Sequence, residues 1–256
     1  MKSFKVDRLE VRVAADRAAL GRAAAETFCG AVAEVLGRKE VANVMFAAAP
    51  SQNEFLDALV GMPVDWSRVN GFHMDEYIGL PEDAPQGFGN FLREKLFSKL
   101  AFREVMFMPS CENMRICEEY AYQLAKWPTD IVVLGIGENT HLAFNDPHAA
   151  LFDDPEMVKV VELDEACREQ QVRDGCFMAL EEVPRRAMTV TIPALMRAEY
   201  VVGVVPGKNK AEAVKHTLCD EISERYPATV IRRHPKAILF LDGDSAAAIA
   251  TIGRNC

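Results

Sequence analysis

The stretch Asp130-Ile-Val-Val-Leu-Gly-Ile-Gly-Glu-Asn-Thr-His-Leu-Ala-Phe-Asn-Asp-Pro147 decides the fold that we expect for this chain. It opens with an apolar, β-branched run, Ile131 to Leu134, which is short enough to be a strand buried on both faces. Gly135 and Gly137 follow, and glycine lets a backbone turn sharply or come close to a ligand. Open α/β sheets bind their ligands in loops of this kind, at the carboxyl ends of buried parallel strands. The stretch therefore predicts an active-site loop, and His141 is our candidate for its proton-transfer group.

Composition favours one domain. Half of the 256 residues are hydrophobic, which is enough for a large core, and no linker, charge run or repeat divides residues 1–256. The net charge of −9 argues against nucleic acid or an anionic membrane as a partner, but it leaves a small anionic substrate open. With no signal peptide, no apolar run of membrane-spanning length and seven cysteines without a Cys-x-x-Cys pair, we expect a cytoplasmic protein with reduced thiols.

Predicted strands and helices alternate along the chain. This alternation indicates an α/β three-layer sandwich with a mostly parallel, Rossmann-like central sheet. Besides Ile131–Leu134, strands are expected at Val41–Ala47, Trp66–Phe72, Val158–Leu163, Ala187–Ile192, Tyr200–Val205 and Ala237–Leu241, with Phe4–Val13 as an edge strand. The main helices are expected at Asp16–Leu36, Gln86–Leu100 and Cys117–Lys126.

Two predicted helix starts have features that suit an anion. Ser51 and Glu54 form a Ser-x-x-Glu capping box directly after a strand, so free backbone amides would face a ligand there. An ordinary turn with a good cap explains this pattern equally well. Lys208 and Lys210 stand at the start of another helix, where the helix dipole disfavours cations. A bound anion would explain the two lysines, and so would a solvated pair.

The segment Met74-Asp75-Glu76-Tyr77 ends a predicted strand in two adjacent carboxylates. Successive side chains of extended backbone point to opposite sides, so only one of Asp75 and Glu76 can face a given pocket. Taken alone, the pair is explained more simply as solvated turn residues. His73 adjoins Asp75 and could also line the pocket.

Three stretches together resemble the glucosamine-6-phosphate deaminases. The segment Phe72–Pro81 is similar to their Asn-Met-Asp-Glu-Tyr segment, and Gly135–Pro147 to their Gly-x-Gly-x-Asp-Gly-His-Ile-Ala-Phe-Asn-Glu-Pro. The segments Ala187–Lys210 and His234–Ala237 are also similar, in the same order and spacing. The related 6-phosphogluconolactonases share the glycines and the histidine but lack the Met-Asp-Glu-Tyr and Ala-Phe-Asn versions.

The resemblance implies roles for individual residues. Asp75 would carry a proton between C2 and C1 of the sugar, His141 would open the sugar ring, and Asp146 would support that histidine. For substrate and phosphate binding it implies Lys210, and the remaining candidates are Arg168, Ser51, Gln52, Gly137 and Glu76.

Two departures from the family's motifs concern the site. Asn139 stands where the family has a second histidine-orienting Asp, and an amide accepts a hydrogen bond without supplying charge. The family's phosphate loop, Thr-Gly-Gly-Thr, falls on Ser51-Gln52-Asn53-Glu54, which lacks both glycines. Glu54 would repel a phosphate unless the capping box turns it away. The reaction type is therefore better supported than the substrate.

The implied activity is aldose–ketose isomerisation and deamination of glucosamine-6-phosphate, or a close relative, to a ketose phosphate and ammonia. The expected partner is a small phosphorylated amino sugar, and a homo-oligomer is compatible with the sequence. This chemistry requires no metal or organic cofactor, and no His/Cys/carboxylate set has a recognised ligand spacing. Two other functions remain open: a lactonase-like hydrolase acting on a sugar lactone phosphate, and a non-catalytic sugar-phosphate sensor.

Overall fold

A central sheet of eight strands organises the computed structural model, which describes residues 1–111 and 114–250. The spatial order is β1-β2-β11-β10-β7-β3-β4-β6, and every neighbouring pair is parallel except β1 with β2. The strands are β1 (Lys2–Val6), β2 (Leu9–Val13), β3 (Ala42–Phe46), β4 (Val69–His73), β6 (Glu104–Met106), β7 (Ile131–Leu134), β10 (Tyr200–Val205) and β11 (Ala237–Leu241).

A second sheet has three antiparallel strands in the order β5-β9-β8. These are β5 (Asp75–Tyr77), β8 (Val158–Glu162) and β9 (Arg186–Val190). Because β5 follows β4 after a single residue, the chain passes directly from the large sheet into the small one. Asp75 lies opposite Thr189 in this pairing, so the small sheet fixes the backbone on which that carboxylate stands.

Helices cover both faces of the large sheet. They are α1 (Arg17–Leu36), α2 (Asn53–Val60), α3 (Phe88–Leu92), α4 (Met114–Lys126), α5 (Glu165–Arg173), α6 (Ile192–Met196), α7 (Ala211–Cys219) and α8 (Ala247–Ala250). Within β7, Val132 and Leu134 join one apolar cluster, whereas Ile131 and Val133 join the other. The central strand is thus buried on both faces, and the predicted mostly parallel three-layer α/β sandwich is confirmed.

Several local predictions differ from the structure. The segment Phe4–Val13 is a hairpin rather than one edge strand, because the chain turns at Asp7, which has a φ of +52°. The predicted capping box is wrong: α2 follows a short 3-10 turn and has no side-chain cap. Glu54 instead forms a two-point ion pair with Arg17 of α1, at 2.7 and 3.0 Å, which does turn it away from the preceding loop.

The cysteines are mostly free, as expected. Cys29, Cys111, Cys117, Cys167 and Cys176 are free thiols. The expectation of reduced cysteines is wrong for Cys219, which is disulfide-bonded, and Cys256 lies outside the described residues. None of the helices in residues 1–111 and 114–250 is long and apolar enough to span a bilayer.

The strand order reverses between β3 and β7. From β3 the chain moves outward to β4, and from β7 it moves to β10 on the opposite side. The loops that leave these two strands therefore diverge and open a crevice at the carboxyl edge of the sheet. Such a switch point is the common ligand site of open α/β sheets.

Candidate active site

A cleft lies at this switch point, where open α/β sheets commonly bind small molecules. Loops after β3, β4, β7 and β10 contribute to it, together with α3 and the end of α5. Its walls combine small and apolar residues with a few polar ones. They are Ala47, Ala48, Ala49, Ser51, Met74, Asp75, Phe88, Gly135, Ile136, Gly137, His141, Ala143, Phe144, Gln170, Gln171, Asp174 and Lys210.

The loop after β7 places His141 in the cleft. The Gly137 N–H donates to the His141 carbonyl at 3.0 Å, and the Thr140 N–H donates to the Gly137 carbonyl at 2.9 Å, so the chain doubles back on itself. The imidazole then lies over Gly137, where a Cβ atom would come within 2.2 Å of the ring. Thr140 has a φ of +70°, a region that favours glycine, and the deaminase motif has glycine there. A tight, strained loop thus positions the ring.

Asp146 supplies negative charge beside this ring. Its Oδ1 lies 3.0 Å from Nδ1 of His141, although the N–H direction is too poorly aligned for a good hydrogen bond. Burial raises the pKa of Asp146, but the contact with His141 and the amide of Asn139 outweigh burial, so the pKa lies below its usual value. The carboxylate therefore remains ionised at neutral pH. With Nδ1 held on this side, Nε2 is the nitrogen left to act on a substrate.

Asn139 acts on the backbone rather than on the imidazole. Its Oδ1 accepts the N–H of His141 at 3.1 Å, and its Nδ2 donates to Asp146 at 2.9 Å and to Asp164 at 3.0 Å. An amide can bridge two carboxylates because it donates two hydrogen bonds and carries no charge. Asn139 therefore links the backbone of His141 to the carboxylates of Asp146 and Asp164.

Asp75 faces the cleft from the start of β5 and is 6% exposed. Burial, followed by the charge of Glu76, raises the pKa of Asp75 well above its usual value. His73 does not line the cleft but lies beneath it, with its Nδ1 2.9 Å from the Asp75 carbonyl and its Nε2 accepting the Met108 N–H at 2.7 Å. His73 thus holds the backbone of Asp75 in place.

Glu76 points away from Asp75, as the strand geometry predicts. Its carboxylate accepts the backbone N–H groups of Tyr77, Phe88 and Gly89, at 2.8 to 3.0 Å. Burial raises the pKa of Glu76, and these three hydrogen bonds partly oppose that rise. The structure leaves Glu76 outside the cleft lining, where it anchors the first turn of α3 instead of contacting a substrate.

Lys210 brings a positive charge into the cleft. It is 4% exposed, and burial lowers its pKa, an effect that Asp174 and Glu138 partly reverse. Ser51 lines the same region, whereas Lys208 does not. Gln52 lies beneath the loop after β3 and donates to the Val204 carbonyl at 3.0 Å, so it shapes the loop from below.

Helix α5 supplies residues that the sequence analysis missed. Gln170, Gln171 and Asp174 line the cleft, whereas the predicted Arg168 turns away and donates to the carbonyls of Leu180 and Val183. Arg173 lies beside the cleft and pairs with Glu138 at 2.6 Å. In the sequence these residues lie in a polar stretch, residues 163–184, that is a signal for surface or site residues. Which of them face the cleft depends on how helix α5 packs.

Within residues 1–111 and 114–250, two groups of side chains have ligand atoms close enough to hold a metal ion, within 4.8 Å of one another. One comprises His141, Asp146 and Cys167, and the other comprises Asp146, His148 and Asp164. Both depend on Asp146, whose oxygens already accept hydrogen bonds from Asn139 and from the Asp164 N–H. Burial and nearby carboxylates raise the pKa of the Cys167 thiol well above its usual value. Because the thiolate is the form that binds metals, the protonated Cys167 is a poor metal ligand.

Known proteins similar to this chain identify its family. The family described as glucosamine-6-phosphate isomerases/6-phosphogluconolactonase matches residues 15–240. The chain belongs to this family. A glucosamine-6-phosphate deaminase of Bacillus cereus strain B4264 is 35% identical over 217 residues, which are 84% of this chain and 80% of the relative. One of Bacillus thuringiensis strain Al Hakam is 34% identical over the same proportions.

Solved structures show that members of the family share the fold. A monomeric glucosamine-6-phosphate deaminase superposes with a TM-score of 0.84 at 24% identity, covering 93% of this chain and 99% of the other. The 6-phosphogluconolactonase of Thermotoga maritima superposes with a TM-score of 0.74 at 20% identity, covering 91% and 98%. At identities of 24% and 20%, the superpositions show a shared fold and no more.

Proposed function

We propose that this chain converts a phosphorylated amino sugar, glucosamine-6-phosphate or a close relative, into a ketose phosphate and ammonia. The observation that carries the proposal is the convergence of Asp75, His141 and Lys210 on one cleft from the segments that follow β4, β7 and β10. The deaminases among its relatives support the same reaction. Catalysis of this kind needs a positioned proton carrier for each proton that moves, together with an anchor that holds the substrate.

His141 would open the sugar ring. Its Nε2 takes the proton from the anomeric hydroxyl and returns a proton to the ring oxygen, which leaves an open-chain 2-amino aldehyde. The imidazole becomes positively charged between these two transfers, and the ionised Asp146, 3.0 Å from Nδ1, stabilises that charge. The carboxylate therefore favours the intermediate state without taking the proton itself.

Asp75 would move a proton between adjacent carbons. Starting from the ammonium form of the amino aldehyde, Asp75 removes the proton from C2 and returns it to C1, while one proton of the ammonium group passes to O1. C1 then becomes a hydroxymethyl group and C2 becomes an iminium. Water adds to C2 and ammonia leaves, which completes the ketose phosphate. The raised pKa of Asp75 suits this task, because a carboxyl nearer neutrality can both accept and return a proton.

Lactone hydrolysis is the competing activity, since 6-phosphogluconolactonases share the fold. That reaction needs a base to activate water, which His141 could supply, but it moves no proton between carbons. Asp75 would have no task in it. The orientation of Asp75 into the cleft therefore favours the isomerising deaminase. A non-catalytic sugar-phosphate sensor would need no proton transfer, either by Asp75 or by His141.

Ammonia release from a panel of phosphorylated amino sugars tests the proposal, with the Asp75→Asn variant as its probe. We expect the variant to lose at least ~10²-fold in kcat, a common contribution of a positioned acid or base, with a much smaller change in KM. The matched control is hydrolysis of a sugar lactone phosphate by the same two proteins. Near-normal ammonia release by Asp75→Asn would remove Asp75 from the mechanism. Activity on the lactone alone would favour the hydrolase, and binding without turnover the sensor.

A further inference from the structure

Glu138 holds together the cationic end of the cleft. Its Oε2 lies 2.6 Å from Nη2 of Arg173, and its Oε1 accepts a hydrogen bond from Nδ2 of Asn209 at 2.9 Å. These partners come from α5 and from the turn before α7, whereas Glu138 belongs to the loop after β7. The charge of Lys210, next to Asn209, also acts on Glu138. Groups from two elements, α5 and the turn before α7, therefore converge on one carboxylate.

The same groups are those that a phosphate would use. A guanidinium, an ammonium and an amide N–H donate to phosphate oxygens as readily as to carboxylate oxygens. Among the cleft-lining residues in the described ranges, Lys210 is the single Lys or Arg, and the charge of Arg173 acts on it, so Arg173 is our candidate for a second cation. In this structure, however, Arg173 is engaged by Glu138 and, at 3.4 Å, by Glu169.

We propose that Glu138 is a specificity-determining residue whose carboxylate stands in for the substrate's phosphate and must release Arg173 before a phosphate can bind there. The inference rests on the proposed function for the identity of the substrate, and it concerns how strongly the site discriminates between phosphorylated and unphosphorylated sugars.

The electrostatics support displacement rather than a permanent bridge. Burial raises the pKa of Glu138, but its contacts with Asn209 and Arg173 outweigh burial, so the pKa lies below its usual value and the group is ionised at neutral pH. An ionised carboxylate repels an incoming dianion. The side chains of Arg173 and Glu138 are 50% and 23% exposed, and ion pairs of such exposure contribute little to stability. Arg173 can therefore exchange one anion for another.

Binding of inorganic phosphate to the purified protein, measured by calorimetry, provides the test. The variant Glu138→Gln keeps the size and the acceptor oxygen for Asn209 but removes the negative charge. We expect its Kd for phosphate to be about five- to tenfold lower than that of the wild-type protein, since one weak ion pair and one repulsion are removed. The matched control is Glu169→Gln, which removes the same charge from an exposed partner of Arg173.

Kinetics give a second readout. For Glu138→Gln we expect the KM for the phosphorylated sugar to fall, while the KM for the unphosphorylated sugar changes less than twofold. Equal phosphate affinity in Glu138→Gln and the wild-type protein, or an equal gain in Glu169→Gln, would overturn the inference. If no amino-sugar phosphate yields ammonia, the proposed function fails, but the phosphate-binding comparison still decides the role of Glu138.

Discussion

Replacing Gly137 with alanine tests whether the observed position of His141 is the working one. The added Cβ would lie 2.2 Å from Cε1, 2.3 Å from Nε2 and 2.4 Å from Cδ2 of the imidazole. Carbon atoms in contact are normally about 3.5 to 4 Å apart, so the ring has to move by more than about 1 Å. The φ of Gly137 is not positive, so alanine introduces no backbone strain there.

The displacement should affect catalysis much more than folding. Moving the ring separates Nδ1 from Asp146, which is 3.0 Å away, and shifts Nε2 relative to the substrate. A misplacement of about 1 Å in a reacting group can reduce the rate by about 10²-fold. We therefore expect kcat/KM for ammonia release from Gly137→Ala to fall by about two orders of magnitude. The midpoint of thermal unfolding should change little, because the ring can move into the open cleft.

Gly135→Ala is the matched control in the same loop. Its Cβ would meet the end of the Gln52 side chain at 3.2 Å and Ser51 at 3.8 Å, and a flexible side chain can give way. This variant should keep activity within a few-fold of the wild-type value. If Gly137→Ala were as active as Gly135→Ala, the ring position described here could not be the one that carries out catalysis.

Two further predictions concern the polar groups around the cleft. Asn139→Asp would place a third carboxylate about 3 Å from Asp146 and Asp164. We expect the free energy of unfolding to fall by about 1 to 3 kcal/mol. The loss should be smaller at pH 5 than at pH 8, because a carboxyl group repelled by two others takes up a proton more readily as the pH falls. An equally stable variant in urea unfolding would contradict the bridging role of the amide. Burial lowers the pKa of His73 from 6.5 to about 4. Between pH 6.5 and pH 4, His73 is therefore protonated in the unfolded chain but neutral in the folded one, and the free energy of unfolding falls as the pH falls. We expect this single group to remove about 3 kcal/mol between pH 7 and pH 4, and His73→Gln should show a correspondingly flatter pH dependence of its urea midpoint than the wild-type protein.

The Asn139 prediction shows where the sequence misleads. From the motif alone, Asn139 is an uncharged residue where the family has an acid, and we would expect Asn139→Asp to be tolerated. The contacts lead us to predict the opposite, because the amide donates to two carboxylates, one of which belongs to the cap of α5. Asp164 is 25 residues away in sequence, and no local pattern shows that it reaches this loop.

The sequence by itself indicated the fold class and the loop that carries His141, because the apolar run Ile131–Leu134 ends in glycines and polar groups. Local patterns left Asp75 and Lys210 open between a pocket and a solvated surface, and the resemblance to the deaminases proposed them for the site. The opposite directions of Asp75 and Glu76 follow from the two-residue period of extended backbone in the same way.

Only the tertiary structure decided which arginine stands beside the cleft. Arg168 and Arg173 both belong to α5, and the sequence offers no reason to prefer one. The packing of that helix turns Arg168 toward the carbonyls of Leu180 and Val183, and Arg173 toward Glu138. The direction of a helical side chain depends on the rotation of the helix about its own axis. That rotation is set by what the helix packs against, and those partners are distant in sequence.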